Sequence, residues 1–206
     1  QFIKESLVAD GLLRVTDTEV KDWADDTGEM PLKDVVAVTS LAFLNKSNAT
    51  GATPAIVEPR QNVVHQLWQK VSDIPGFGDA GAKEKTVAAQ PVVLKALAKI
   101  AFDLNFSNRR PENGPELYEM FLTKFDEIDF SHQNPVWRYF DLEQSEIDEA
   151  SLNDLKDWLP PTDTGANRDI GSYQGGFMRF GAKHNDIYPI IGDMIRWQVG
   201  LPNRHK

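Results

Sequence analysis

Pro91-Val92-Val93-Leu94-Lys95-Ala96-Leu97-Ala98-Lys99-Ile100-Ala101-Phe102-Asp103-Leu104 is the stretch on which the fold class turns. Val93, Leu94, Leu97, Ile100, Ala101 and Leu104 make one continuous apolar stripe at helical spacing, and Pro91 is tolerated where a helix begins. The same periodicity recurs upstream at Val63, Val64, Leu67, Trp68 and Val71, and stops at the breaker cluster Pro75-Gly76-Phe77-Gly78. Downstream, Pro115 suits a first helical position, followed by Leu117, Met120, Phe121 and Phe125. A last helix is expected with Asn185 or Asp186 as its cap. Its buried face is Ile187, Ile190, Ile191, Met194 and Ile195, and Gly200 then Pro202 stop it.

Other segments are less regular. The run Val35 to Leu44 is apolar enough to be buried, but its β-branched half favours a strand and its Leu-Ala-Phe-Leu half a helix. Asn45 to Pro59 reads as a loop. Ser151-Leu152-Asn153-Asp154 resembles a capping box, which places a short helix start at Ser151 and its end at Pro160-Pro161. Gly165 to Gly181, Gly-rich with Tyr173, Phe177 and Phe180, suits a hairpin or an ordered loop. The expected fold is mainly α, an irregular helical domain with one or two short strands or a hairpin near 170–183. Residues 1–60 read as an N-terminal arm and remnant of a preceding domain, and 61–206 as a helical C-terminal domain.

With 206 residues, 41% hydrophobic and 26% charged, the chain has the makings of a core, to which five Trp and eleven Phe contribute large buried surfaces. The absence of cysteine excludes disulfides and thiolate chemistry. No stretch approaches the roughly 18 to 20 consecutive apolar residues of a membrane span. The start, Gln1-Phe2-Ile3-Lys4-Glu5, is not a signal peptide and reads as the beginning of a piece of something longer. The expected compartment is the cytoplasm, with no membrane partner. The formal net charge of −9 argues against indiscriminate binding to phosphate backbones. Residues 166–206, however, hold six basic against three acidic residues, a net of +3 on a body that carries −12. A basic end on an acidic body suggests a polar partner there.

Catalytic patterns are absent. His65, His132, His184 and His205 form no closely spaced ligand pair, so zinc hydrolysis has no support. Asp126, Glu127, Asp129 and His132 crowd together as an oxygen-rich site for a hard cation would, but they lack the Gly and spacing of a calcium loop and read instead as a polar helix end leading into a loop. Gly-x-Ser-x-Gly is missing, and neither Gly76-Phe77-Gly78 nor Gly175-Gly176 leads into the Lys-Ser/Thr of a phosphate loop. No enzyme activity, cofactor or metal is expected. Nucleic-acid contact has more to offer. Arg168, Arg179, Lys183 and His184 flank Tyr173, Phe177 and Phe180, mixing charge with aromatic faces. Asn185 and Asp186 at a helix start leave backbone N–H groups for a phosphate. Arg109-Arg110, after the 94–104 helix, is a second candidate. The bland alternative is that the aromatics pack under loops and the charges are merely solvated.

Three segments carry a family resemblance: 86–104, 125–137 and 185–202. Their order and spacing resemble the C-terminal part of the DndB family, DGQHR-motif proteins of DNA phosphorothioation (sulfur modification). The core element is Ile128-Asp129-Phe130-Ser131-His132-Gln133-Asn134-Pro135-Val136-Trp137, which matches an Ile-Asp-(Phe/Trp)-Ser-x-x-Asn-Pro-x-Trp pattern through Asp129, Ser131, Asn134, Pro135 and Trp137. The resemblance covers roughly residues 80–202, and the Asp-Gly-Gln-His-Arg motif itself is absent. It implies a DNA-binding transcriptional repressor or accessory protein of a bacterial modification and defence locus. Its expected partners are promoter DNA of its own locus, other proteins of that locus, and further copies of itself. The same element also has a purely structural reading. Asn134-Pro135 starts a turn, Ser131 can cap the adjoining backbone, and Ile128, Phe130 and Trp137 anchor the loop. The competing functional reading is a helical protein-interaction module whose acidic face meets a basic partner.

Overall fold

A computed structural model describes residues 7–19, 22–161 and 170–206. Among these residues, five helices of ten residues or more carry the architecture: α1 (Leu32–Leu44), α2 (Gln61–Ser72), α3 (Pro91–Asn105), α4 (Gly114–Thr123) and α5 (His184–Val199). Helix α3 is the axis of the molecule. Val92, Val93, Leu94, Ala96, Leu97, Ala98, Ile100, Ala101 and Leu104 are all buried, so the apolar stripe wraps most of the helix. A helix apolar nearly all round must be surrounded, and α1, α5, α4 and α2 all pack against it. Only a narrow stripe that includes Lys95, Lys99 and Asp103 reaches partly toward solvent.

The ambiguous run 35–44 is helical. Val35, Val38, Leu41, Ala42 and Phe43 are buried, α1 lies along α3, and Asn45 ends the helix in the left-handed conformation at φ 57°. Packing against a helix overrides the β-branched preference of the first half. Leu7, Leu13 and Met30 join the same buried cluster as the later helices. The division expected at residue 60 therefore does not separate two cores.

Several local expectations are corrected. The segment 45–59 is not loop throughout: Pro54–Val57 and Glu58–Arg60 form helical turns stacked onto α2, with Pro54 and Pro59 at first-turn positions. Ser151 starts no helix, since it sits in the left-handed region at φ 56°. The helix expected over 151–160 is reduced to one 3-10 turn at Leu155–Asp157, and the reciprocal capping box lies earlier, where Glu143 and Glu146 start a separate helix at Gln144–Glu149. Asn185 and Asp186 do not cap α5. The helix begins at His184, with Lys183 at the cap position, and places both inside the first turn. Its C-terminus ends as expected at Gly200, left-handed at φ 66°, whose N–H bonds back to the Arg196 and Trp197 carbonyls.

Two small sheets complete the described fold. Near the N-terminus, β1 (Val15–Thr16) and β2 (Met30–Pro31) form a two-residue parallel bridge that closes the N-terminal loop over α1. The expected hairpin is present further on. Strands β3 (Gly171–Gln174) and β4 (Phe177–Phe180) pair antiparallel around Gly175-Gly176, both at positive φ as a two-residue hairpin turn requires. No helix among the described residues is long and apolar enough to cross a membrane.

Candidate anion-binding cleft

The 128–137 element closes on itself. The Asp129 carboxylate accepts the Ser131 N–H at 2.8 Å, and its carbonyl accepts both Asn134 Nδ2 at 2.7 Å and Trp137 Nε1 at 3.0 Å. Asn134 Oδ1 takes the Val136 N–H at 3.1 Å, capping the turn that Pro135 opens, while Nδ2 also reaches Gln198 of α5 at 2.9 Å. Trp137 is fully buried, stacked on Phe130 and edge-on to Phe180. His132 Nδ1 accepts the Met178 N–H at 3.0 Å, which leaves Nε2 as the donor to the Lys83 carbonyl at 2.9 Å. Both ring nitrogens are therefore spent on backbone, and burial pulls the imidazole pKa down. Asp126 pairs with Lys70. The acidic crowd near His132 forms no ligand set, and none is present among the described residues.

The hairpin end distributes its aromatics in the same inward way. The Arg179 guanidinium lies 4.1 Å over the Trp23 ring, and Arg138 lies 4.2 Å over Tyr173. Phe177 packs edge-on to Trp23 and His132, and Phe180 edge-on to Trp137. Gln90 clamps β4 through Nε2 to the Met178 carbonyl and Oε1 from the Phe180 N–H. Trp23, Tyr173, Phe177 and Phe180 are each partly buried by these contacts. His184 Nδ1 meets Lys95 Nζ at 3.0 Å, and burial and that ammonium both depress its pKa. Lys183 is exposed at the start of α5, and Arg168 lies outside the described residues.

The other candidate pair behaves differently. Helix α3 ends at Phe106, and a tight loop leads to Gly114, where a Cβ would stand 2.1 Å from the Leu104 carbonyl oxygen. That close approach fixes the loop bearing Arg109 and Arg110 against the end of α3. Arg110 Nη1 donates to the Asn105 carbonyl at 3.3 Å, whereas Arg109 lines a cleft of about 790 Å³. The opposite wall is built by the chain reversal at Gly200. Leu201 N–H bonds to the Arg196 carbonyl, and the tail returns along α5 until Arg204 grips Asp193 with Nε at 2.6 Å and Nη2 at 2.9 Å. His205 Nε2 reaches the same carboxylate at 3.0 Å.

Five cations line the cleft: Lys99, Arg109, Arg196, Arg204 and Lys206. Lys99 is paired with Asp103 at 2.5 Å, and Arg204 with the buried Asp193. Among the described residues no carboxylate lies within ion-pair distance of Arg109 or Arg196. Arg196 is the unusual one: it is 6% exposed, and its guanidinium makes one long hydrogen bond, Nη1 to the Pro202 carbonyl at 3.5 Å. Burial pulls its pKa down, and only the more distant Asp103 and Asp193 carboxylates oppose that. Although the residue is mostly buried, none of its unbonded nitrogens is shut off from solvent, so the rest of the donor fork is accessible from the cleft. Arg179, Lys183 and His184 do not line this cleft. Sequence reading singled out Arg109 and counted the C-terminal charges, but assigned no role to Lys99, Arg196 or Arg204. The signal was the run of basic residues after 166; what it lacked was the reversal at Gly200 that folds them onto α3.

No family model matches the chain, and no curated protein or solved structure matches it.

Proposed function

We propose that the protein is a DNA-contacting accessory or repressor-like regulatory protein of a bacterial DNA phosphorothioation system, acting in the cytoplasm and holding DNA by its phosphates. The observation that carries this reading is the C-terminal cleft, which gathers five cations in a chain of net charge −9. The acidic body repels a polyanion, which favours approach by the basic C-terminal end. The resemblance of the 128–137 element to DndB proteins supplies the biological setting. A gel-shift titration on promoter DNA at several salt concentrations tests it. Affinity should fall with salt, and Arg109→Ala with Lys206→Ala should weaken binding and flatten the slope by about 0.9 per lost phosphate contact. Arg179→Ala with Lys183→Ala should matter less. Absence of salt-dependent binding at physiological ionic strength refutes the reading.

A second reading, a helical interaction module for proteins of the same locus, has its own supporting observation. An apolar groove of about 600 Å³ runs between α1 and the 49–57 segment, lined by Val35, Val36, Phe43, Leu44 and Val57. Beside it, Val36 and Ile56 are more than one-third exposed. Stable co-purification with locus proteins, lost on Val36→Asp and without DNA affinity, would favour this reading over the first.

A further inference from the structure

We propose that the floor of the cleft is a terminal-phosphate site, in which Arg196 and Arg109 take a phosphomonoester and the group it carries lies along Phe102 and Phe106. This rests on reading the cleft as a phosphate-binding surface, and narrows which phosphate it takes. The first argument is access. Arg196 is 94% buried, at the bottom of a concavity walled by the α3 end, the 106–111 loop and the returning tail. An internal phosphate of a duplex has sugar on both sides and needs a groove open at both ends. A terminal phosphate enters from one side and can reach a recessed guanidinium.

Charge gives the second argument. Lys99 and Arg204 are neutralised by Asp103 and Asp193, which leaves Arg196 and Arg109 uncompensated even without Lys206. Two free guanidinium charges match a monoester, which carries about −1.5 to −2 at neutral pH, better than a diester with one charge. The third is geometry. The Asp193 clamp on Arg204 holds the tail wall in place, and Arg196, three residues along α5 from Asp193, keeps the greater part of its planar donor fork for a bidentate oxygen pair. Next to these donors the wall is carbon. Phe102 and Phe106 line the cleft and meet edge to face at 6.3 Å. Lys99 lies 5.3 Å over the first ring and Arg60 4.7 Å over the second, so the apolar surface left for the group behind the phosphate is the remainder of each ring.

The chemistry is common to a free mononucleotide and to the 5′-phosphorylated end of a strand, and the experiment separates them. The full chain is titrated calorimetrically with adenosine 5′-monophosphate, with adenosine, and with a short single strand with and without a 5′-phosphate. The phosphorylated member of at least one pair should bind about ten-fold tighter than its partner, in line with one charge-assisted bidentate contact. A preference confined to the mononucleotide assigns the free nucleotide, and one confined to the strand assigns the strand end. Arg196→Gln should abolish that preference. Arg109→Gln, at an exposed position, should reduce it about three-fold with an unchanged circular dichroism spectrum, and it carries the test if Arg196→Gln does not fold. Equal affinity within both pairs overturns the proposal, as does a phosphate preference untouched by Arg109→Gln. Duplex binding without any end preference overturns the terminal-phosphate site alone. Monoester binding without duplex binding overturns the DNA reading and leaves this one standing.

Discussion

The 128–137 loop and the C-terminal cleft are both rich in polar side chains, and they dispose of their hydrogen-bonding capacity in opposite ways. In the loop, Asp129, Asn134, His132 and the Trp137 indole spend their donors and acceptors on one another, on backbone, or on Gln198. In the cleft, Arg109 and Arg196 keep theirs. A satisfied network stabilises and specifies a unique packing, whereas donors left open to solvent remain available to a ligand. The most distinctive pattern in the chain is therefore its architecture, and the binding site proposed above is spread over segments with no pattern of their own.

The comparison breaks most directly at Trp137. Its ring is fully buried between Phe130 and Phe180, so Trp137→Ala should cost about 3–5 kcal/mol in urea denaturation. Arg109→Ala, exposed and unpaired, should stay within about 0.5 kcal/mol. Comparable losses at the two positions would erase the distinction between scaffold and site.

A finer cut uses Asn134, which is 6% exposed and joins the Asp129 carbonyl, the Val136 N–H and Gln198. Asn134→Ala orphans the buried Val136 N–H, removes the bond to Gln198 and leaves the Asp129 carbonyl with the Trp137 indole alone, and it should cost about 1–3 kcal/mol. Asn134→Asp keeps the acceptor for the Val136 N–H but turns a buried carboxylate oxygen toward the Asp129 carbonyl and Gln198 Oε1, so it should cost more than Asn134→Ala. If Asn134→Ala leaves the unfolding midpoint in place, the loop is not a closed network and its pattern needs a functional cause.

Legibility in the sequence divides along the same line. The stripe 93–104 identified the central helix because period and composition agree along one segment, and the buried face of 187–195 was equally plain. Asn134-Pro135 announced a turn because its chemistry is local. Val35–Leu44 could not be settled, since the partner that decides it, α3, is some fifty residues away. Ser151 misled because a capping-box spelling is short; the capping box that forms is Glu143 with Glu146, on a helix that ends before Ser151. The cleft was legible only as a charge imbalance. Its geometry depends on Gly114 meeting Leu104 and on Arg204 returning to Asp193, contacts that no spacing encodes.

Acid should act on the scaffold through its histidines, and here the expected effect is the smallest of the three. His132 accepts the Met178 N–H through Nδ1, and His184 Nδ1 faces the Lys95 ammonium, so a proton on either ring removes an acceptor or sets two cations 3.0 Å apart. Burial depresses both pKa values below the 6.5 of a free imidazole. At pH well above 6.5 the rings are neutral in folded and unfolded chains alike, and they add no pH dependence. Below it the unfolded chain takes up protons first, so stability falls as pH drops through 6.5 and levels off only beneath the folded values. Asp34 opposes this: burial raises its carboxyl pKa, so its protonation favours the folded chain as pH falls. The urea midpoint should therefore be compared at about pH 7.5 and about pH 5.5, where ordinary carboxylates remain ionised. It should drop in the parent and drop less in His184→Gln, where the Asp34 contribution is unchanged and only the ring facing Lys95 is gone. An equal drop in both would confine the acid sensitivity to His132 and the closed loop. Neither His132 nor His184 lines the cleft, so if the cleft takes an anion as proposed, a His184→Gln chain that regained stability in acid should bind it no differently from the parent.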